Sequence, residues 1–134
     1  MAQTKIWPVT NHLARCIRYV MNPAKTQDGK LVSGVNLFIP PRDWQGPTNQ
    51  MLNTKVRFNK LGGRLAYHME QSFKEEEVTP ELAHKIGVEL AQELFGGRYE
   101  VVVATHIDKK HIHNHILLNS VSFVDGKKFH QPNS

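Results

Sequence analysis

The chain has a single cysteine, Cys16, among its 134 residues. One thiol excludes an intrachain disulfide framework, and this cysteine usage favours a reducing compartment such as the cytoplasm. No apolar run approaches the roughly 20 residues that a membrane-spanning helix needs. Repeats, linkers and low-complexity segments are also lacking, so nothing divides the chain. The length suits one domain, which we assign to residues 1–134.

Neither sign of charge dominates, but the balance is basic. The chain carries 17 Lys and Arg against 12 Asp and Glu, a formal charge of +5, with a pI near 9.5. This balance suits a partner with a phosphate backbone. It is weak evidence alone, because many soluble proteins are mildly basic. Apolar residues make up 40% of the chain, which allows a small core.

Histidine is concentrated in one segment. It begins with His106 and Asp108 and ends, after a short turn, with His113 and His115. Residues two apart on a strand share a face, so His113 and His115 point the same way, and His106 can return to the same point. Imidazole is the commonest ligand of catalytic metals, and three imidazoles leave open positions on the ion. The spacing predicts a divalent metal site.

Histidine-rich tracts also occur as purification tags, solvated loops and incidental clusters. Two observations favour a built site here. Residues 99–104 read as a buried strand before the cluster, and residues 116–118 are an apolar continuation after it. A tag would also not place Asp108 at this offset. Asn119 shares the strand face of His113 and His115.

The remaining pattern predicts an α+β fold, with a central mainly antiparallel β-sheet and helices packed on one face. We expect strands near residues 5–7, 30–39, 64–73, 99–105 and 113–124. A first helix, capped by Thr10 or Asn11, should end before Asn22 and Pro23. A second should span 48–60, and a third should start at the Thr79 cap. Its predicted buried stripe is Leu82, Ala83, Ile86, Leu90, Ala91 and Leu94.

Three segments resemble, in order, the motifs of a known family. They are residues 17–26, which contain Tyr19; residues 67–73; and residues 105–121, which contain the histidines. Together they are similar to the conjugative relaxases, mobilisation nucleases of the VirD2-like branch of the HUH endonuclease superfamily. The resemblance covers nearly the whole chain and implies the same antiparallel sheet, with the histidines at its centre.

The resemblance implies a function in horizontal gene transfer. Such enzymes nick one strand at the transfer origin of a plasmid or conjugative transposon. A tyrosine attacks the phosphodiester and keeps the 5′ phosphate as a phosphotyrosine, so the strand can be rejoined. By position in the motifs, Tyr19 is the expected nucleophile. His106, His113 and His115 are the expected ligands of Mg²⁺ or Mn²⁺, although Zn²⁺, Co²⁺ or Ni²⁺ would also suit imidazole.

Supporting roles are expected for other residues. Asp108 would orient a ligand or assist activation of Tyr19, because phenols in general are weak acids and need a base or a nearby cation for activation. His111 would lie in the outer shell or face DNA, and Asn119 would orient a neighbour. The expected DNA contacts are Arg15, Arg18, Lys25, Gln71, Ser72, Lys109 and Lys110. For Trp44, core packing is favoured over stacking on unpaired bases.

The expected substrate is single-stranded or locally melted transfer-origin DNA in the bacterial cytoplasm. Accessory relaxosome proteins and a coupling protein are expected partners, and we expect the chain to be an N-terminal fragment of a longer protein. Two rival functions stay open. One is a metal-dependent phosphodiesterase that activates water, with Tyr19 a bystander. The other is a non-catalytic DNA-binding module with a structural metal, which a single cysteine far from the cluster disfavours.

Overall fold

The computed structural model describes residues 2–130 of the chain. Within that range it contains five strands and three helices in the order β1, α1, β2, α2, β3, α3, β4, β5. Their bounds are β1 Gln3–Val9, α1 Leu13–Val20, β2 Val32–Val35, α2 Gln45–Arg57, β3 Ala66–Ser72, α3 Pro80–Phe95, β4 Val101–His106 and β5 His113–Asn119. No helix in this range is long and apolar enough to cross a membrane.

The strands form one sheet in the order β1-β3-β5-β4-β2, and every neighbouring pair is antiparallel. The central strand is β5, which carries His113 and His115. Its register with β4 places His113 opposite His106 and His115 opposite Ala104. Residues opposite one another project from the same face, so all three histidines share one face at one end of the sheet. The predicted α+β sheet architecture is confirmed.

Helices cover both faces of this sheet, and the expectation of one covered face is wrong. On the histidine face, α1 and α2 pack over a core that includes Ile17, Met51, Val102 and Leu117. On the opposite face, α3 packs over a second core. The physical reason lies in residues 101–104, which are all fully buried. A strand with apolar side chains on both faces requires a layer on each side.

The third helix begins as predicted, but its buried stripe matches the predicted one only in part. Thr79 caps it by accepting a hydrogen bond from the Leu82 amide, and Pro80 follows at the first position. Leu82 and Leu94 are 46% and 53% exposed, contrary to the prediction. Ala83 and Ala91 are buried as predicted, and Gly87 and Phe95 complete a stripe whose residues are spaced four apart. Small residues let the helix backbone approach the sheet closely. A hydrophobicity scale does not identify this face, because it ranks residues by polarity and not by size.

Other boundaries differ for local reasons. The cap of α1 is His12, in a left-handed conformation, and neither Thr10 nor Asn11. Strand β2 stops early because Asn36 has a positive φ and its side-chain amide nitrogen donates hydrogen bonds to the carbonyls of Gly96 and Tyr99. Helix α2 starts earlier than predicted because the Asp43 carboxylate accepts from the amides at positions 45 and 46.

Candidate active site

A cavity of about 210 Å³ opens at the histidine end of the sheet. It is bounded by side chains from α1, from the segment that follows α1, from β3, and from the β4–β5 turn and its two strands. The lining residues are Tyr19, Lys25, Glu70, His106, Asp108, Lys109, His113 and His115. The structure therefore brings together Tyr19, Asp108 and the three predicted ligands, although α1 and β4 are far apart in the sequence.

The imidazoles of the cavity are close-packed and specifically bonded. The ring centroids of His106 and His115 lie 4.1 Å apart. His106 Nε2 is 2.8 Å from the Val20 carbonyl oxygen, which can only accept, so Nε2 carries the proton and Nδ1 keeps its lone pair. His113 is half-buried, and no hydrogen bond of its ring occurs among residues 2–130.

A fourth histidine, His68 on β3, contacts the ring of His115. His68 Nε2 and His115 Nδ1 are 2.8 Å apart. Trp7 stacks on the His68 ring at a centroid distance of 4.5 Å, and Cys16 Sγ lies 3.8 Å from His68 Nδ1. If His115 donates from Nδ1 to His68, its Nε2 keeps a lone pair toward the cavity. This is how a histidine's second nitrogen commonly fixes the tautomer of a ligand.

Burial keeps these rings neutral. It lowers the pKa of His115 to about 2, with further lowering by the nearby imidazoles of His106 and His68. Burial and the His106 imidazole lower the pKa of His68 to about 4. The pKa of His106 is also lowered, mainly by burial, while its bond to Val20 opposes the shift. Neutral imidazole is the form that binds a metal.

The donor set fits a divalent cation. The Nδ1 of His106 has a lone pair available, His115 Nε2 has one when His115 donates from Nδ1 to His68, and His113 shares their face and cavity. Glu70, directly opposite His115 on β3, adds a carboxylate to the wall. Across residues 2–130, however, no group of three His, Cys, Asp or Glu side chains is already placed around one ion position. Binding of an ion by three of them would therefore require these side chains to rearrange.

Tyr19 stands at the mouth of the cavity. Its side chain is 48% exposed, although it belongs to a short helix whose other face is buried. The ring packs edge-on against His106 and His115, with centroids 5.6 and 6.1 Å away. Lys25 Nζ lies 5.5 Å from the Tyr19 ring centroid and donates to Asp108 at 2.8 Å. This bond raises the pKa of Lys25 and lowers that of Asp108.

Several predicted site residues do not line this cavity, among them His111, Gln71 and Asn119. His111 is exposed and hydrogen-bonds through Nδ1 to the Phe73 carbonyl, in a separate cavity that His113 also lines. Gln71 is buried on the opposite face of the sheet and accepts from Asn114. Asn119 shares the face of the histidines but lies farther along β5, beyond Leu117. These positions place Gln71 and Asn119 outside the cavity.

Asn119 belongs to a buried group that we call the lysine cluster: Lys55, Glu100, Asn119 and Ser120. Lys55 Nζ donates to Asn119 Oδ1, to Ser120 Oγ and to the Leu65 carbonyl, at 2.6 to 2.8 Å. The Asn119 amide nitrogen donates to Glu100 and to the Met51 carbonyl. Burial lowers the pKa of Lys55 to about 8 and raises that of Glu100. Every polar atom of Asn119 is thus used in joining α2 to β5.

A second polar group supports the histidine strands from the opposite face. Thr105 Oγ1 donates to Asn114 Oδ1 at 2.6 Å and lies 2.9 Å from His84 Nδ1. Asn114 also donates to the Ala83 carbonyl of α3. Thr105 precedes His106, and Asn114 lies between His113 and His115. These bonds therefore fix β4 and β5 relative to each other and to α3 where the histidines begin.

His68 and Glu70 are the site residues that the sequence reading missed. The signal was present, because the predicted alternation placed Leu65, Tyr67 and Met69 on one face of β3. The residues between them, His68, Glu70 and then Ser72, necessarily occupy the other face. What the pattern could not supply was the pairing of β3 with β5, which places Glu70 opposite His115.

The arrangement defines a class: a five-stranded antiparallel sheet with clustered histidines and an exposed tyrosine beside them. The family described as "Relaxase: MobA/VirD2-like, nuclease domain" matches residues 19–134. The chain belongs to this family.

Named relatives agree with this assignment. The chain is 37% identical over 140 residues to the group II intron-interrupted relaxase LtrB of Lactococcus lactis subsp. cremoris, covering 89% of this chain and 25% of the relative. It is 36% identical over 129 residues to protein rlx of Staphylococcus aureus, covering 96% of this chain and 37% of that protein. The chain thus spans between a quarter and about a third of these relatives.

A solved structure supports the fold. The structure titled "Molecular Basis of Vancomycin Resistance Transfer in Staphylococcus aureus" aligns with the whole chain and 79% of its own, with a TM-score of 0.59. The sequence identity is 14%, so this likeness concerns the fold alone.

Proposed function

We propose that this chain is a DNA-nicking domain, residues 1–134, in which Tyr19 cuts one strand at a transfer origin. The observation that carries the proposal is the placement of an exposed tyrosine against two of three clustered imidazoles in one cavity. A phosphate held there would lie beside both the nucleophile and the metal ligands, which is the arrangement that proximity catalysis requires.

In the proposed reaction, Tyr19 Oη attacks the scissile phosphorus and forms a 5′-phosphotyrosine bond. The bond from phosphorus to the 3′ oxygen breaks, and that oxygen leaves as a hydroxyl after taking a proton from solvent. The exposed Tyr19 gives its own proton to solvent. A divalent ion bound by His106, His113 and His115 would supply Lewis acidity toward the phosphate, with Mg²⁺ or Mn²⁺ as the expected ion.

The other cavity residues have supporting roles in this proposal. Lys25 lies over the Tyr19 ring, so its ammonium would stabilise the developing phenolate. Asp108 would act through Lys25 by holding that ammonium in place. His68 would fix the tautomer of His115, and Glu70 would contribute negative charge beside the ion. The partner of Asp108 in this structure is thus a lysine and not a ligand histidine.

Phosphates of the substrate would contact basic and hydroxyl groups around the cavity. Lys25 and Lys109 line it, Lys110 is exposed on the same turn, and Ser72 is on the histidine face of β3. Arg15 and Arg18 line an adjacent cavity. We propose single-stranded or locally melted DNA as the substrate, in the cytoplasm of a bacterium, with accessory relaxosome proteins and a coupling protein as partners of the whole protein.

The test is incubation with single-stranded transfer-origin DNA and Mn²⁺, followed by denaturing electrophoresis. Wild type should give a protein band shifted by covalently bound DNA. Tyr19→Phe removes only the attacking oxygen and should give none. Tyr67→Phe and Tyr99→Phe are matched controls, because both tyrosines are buried, and should retain the adduct.

The two rivals give different results in the same gel. Cleavage without an adduct would indicate activated water and overturn the role of Tyr19. Binding without cleavage would indicate a DNA-binding module with a structural metal. Peptide mapping of the nucleotide to any other residue would also contradict the assignment.

Binding without metal provides a further check on the phosphate contacts. About four to six contacts to a single strand predict a slope near −3 to −4 for log K against log salt. A flat response would show that the basic residues do not contact DNA.

A further inference from the structure

Tyr19 also lines a second cavity, which is larger than the histidine cavity. It has a volume of about 490 Å³ and lies between α1 and the segment before α2. Its lining residues are Arg15, Arg18, Tyr19, Met21, Asn22, Pro23, Arg42 and Trp44. This volume is within the usual range for sites that hold an organic ligand. Tyr19 lines both cavities, so they are neighbours with a shared wall.

The sequence of α1 explains why its polar face lines this cavity. Arg15, Arg18 and Tyr19 are spaced at i, i+3 and i+4, which places them along one side of α1, and Asn22 follows just beyond the end of the helix. Ile17 and Val20 are fully buried on the other side. The helix therefore presents two arginines and the proposed nucleophile as one continuous stripe.

The opposite wall supplies an aromatic ring and a third arginine. Trp44 is partly buried against the core beneath it, which fixes the ring. The guanidinium carbon of Arg18 lies 5.6 Å from the Trp44 ring centroid. Arg42 is bonded to Asp28 at 3.3 Å, but both side chains are more than 60% exposed, so this ion pair is weak and exchangeable. The lining contains three arginines and no carboxylate.

These groups match the chemistry of a nucleotide. Unpaired bases stack on aromatic rings and on guanidinium planes, while guanidinium groups bind phosphate oxygens. A strand whose phosphate reacts at Tyr19 must continue past this residue, and the cavity starts at Tyr19. We propose that this cavity is a nucleotide subsite, in which Trp44 and Arg18 stack on one base of the single strand and Arg42 binds its phosphate.

The inference rests on the proposed function for its substrate but depends on different residues. The chain has only two tryptophans, so Trp7→Phe leaves Trp44 as the sole indole fluorophore. The probe is a single-stranded octanucleotide, titrated without metal, with fluorescence anisotropy of a labelled strand as an independent measure of binding. A series of octanucleotides, each with one abasic position, tests whether a base is required.

We expect saturating octanucleotide to quench Trp44, and one abasic position to remove most of the quenching. Trp44→Leu should weaken binding about tenfold, since stacking of one base on an aromatic ring is worth roughly that factor or more. Arg18→Gln and Arg42→Gln should each weaken it several-fold. Arg57→Gln is the matched control, because Arg57 lies over Phe58 at the far end of α2, and should change affinity less than twofold.

The outcomes separate the subsite from the nicking activity. Binding with unchanged Trp44 fluorescence overturns the subsite, as does equal affinity of Arg42→Gln and Arg57→Gln. The arginine variants keep the test decisive if Trp44→Leu does not fold. A covalent adduct at Tyr19, together with Trp44 fluorescence that the octanucleotide leaves unchanged, would refute only the subsite. Quenching and base dependence without any adduct would support the subsite and contradict the proposed reaction.

Discussion

Two polar clusters lie along the same face of β5 and differ in one respect. The histidine cluster, which comprises His68, His106, His113 and His115, opens into a cavity and leaves ring nitrogens without protein partners. The lysine cluster is closed. Lys55 is fully buried with three acceptors, and the Asn119 amide uses both its oxygen and its nitrogen.

This difference is the reason why we propose ion binding for the histidine cluster and not for the lysine cluster. A buried polar group whose bonding capacity is filled by the protein holds elements together, because nothing is left for a ligand. A cluster of neutral imidazoles with spare lone pairs retains capacity for an ion. Sequence distance gives no such distinction, since both clusters draw on β5 and on residues remote from it.

The largest effect should come from removing a ligand histidine. His113→Ala or His115→Ala should abolish binding of Mn²⁺ measured by calorimetry, because two imidazoles cannot replace three on one ion. His111→Ala is the control and should weaken binding little, since His111 is bonded to Phe73 outside the cavity. If His113→Ala retained its affinity for Mn²⁺ and His111→Ala lost it, His111 and not His113 would be the ligand.

The lysine cluster should show the opposite result, in which a substitution lowers the stability of the fold and leaves Mn²⁺ binding unchanged. Lys55→Met keeps most of the volume but leaves buried acceptors without their donor, so we expect a loss of about 2–4 kcal/mol in the free energy of unfolding. Urea denaturation gives this value, and calorimetry on the folded variant should give unchanged Mn²⁺ affinity. A stable Lys55→Met with weakened metal binding would mean that the two clusters are not independent.

A smaller effect is expected from pH in the absence of metal. The folded pKa values of His68 and His115 lie below the ordinary 6.5, so the unfolded chain binds more protons at acid pH. The contribution of these two histidines to stability should therefore be constant above about pH 7 and decline as the pH drops below 6.5. The urea midpoint between pH 7 and pH 5, with chelator present, measures this. His68→Phe should reduce the slope, and an unaltered slope would argue against a buried neutral His68.

Much of the site was predictable because its signal is local. The spacing from His106 to His115 needs only strand alternation, and Thr79 with Pro80 identifies a helix start by itself. The lysine cluster was not predictable, because Lys55 and Asn119 are 64 residues apart and a lysine inside a helix pattern normally indicates a solvated position. Asn119 was therefore placed on the correct face of β5, but beside the wrong residues.

The buried stripe of α3 was predicted only in part, for a related reason. Ala83 and Ala91 were expected to be buried and are, but hydrophobicity also favoured Leu82 and Leu94, whereas close approach to the sheet selected Gly87. Likewise, Trp44 was expected in the core and is only partly buried there, with its remaining surface in the arginine-lined cavity.

Gly87 has a consequence for how the cavity can be altered from a distance. A Cβ atom at this position would lie 2.6 Å from Asn114 Nδ2, too close for any real contact. Asn114 is the residue between His113 and His115, so a methyl group on α3 must shift the Asn114 side chain, with its bonds to Thr105 and to the Ala83 carbonyl, or push the helix away. A random library selected for altered activity should therefore contain substitutions at residue 87. This residue lies on the far side of the sheet and does not line the cavity.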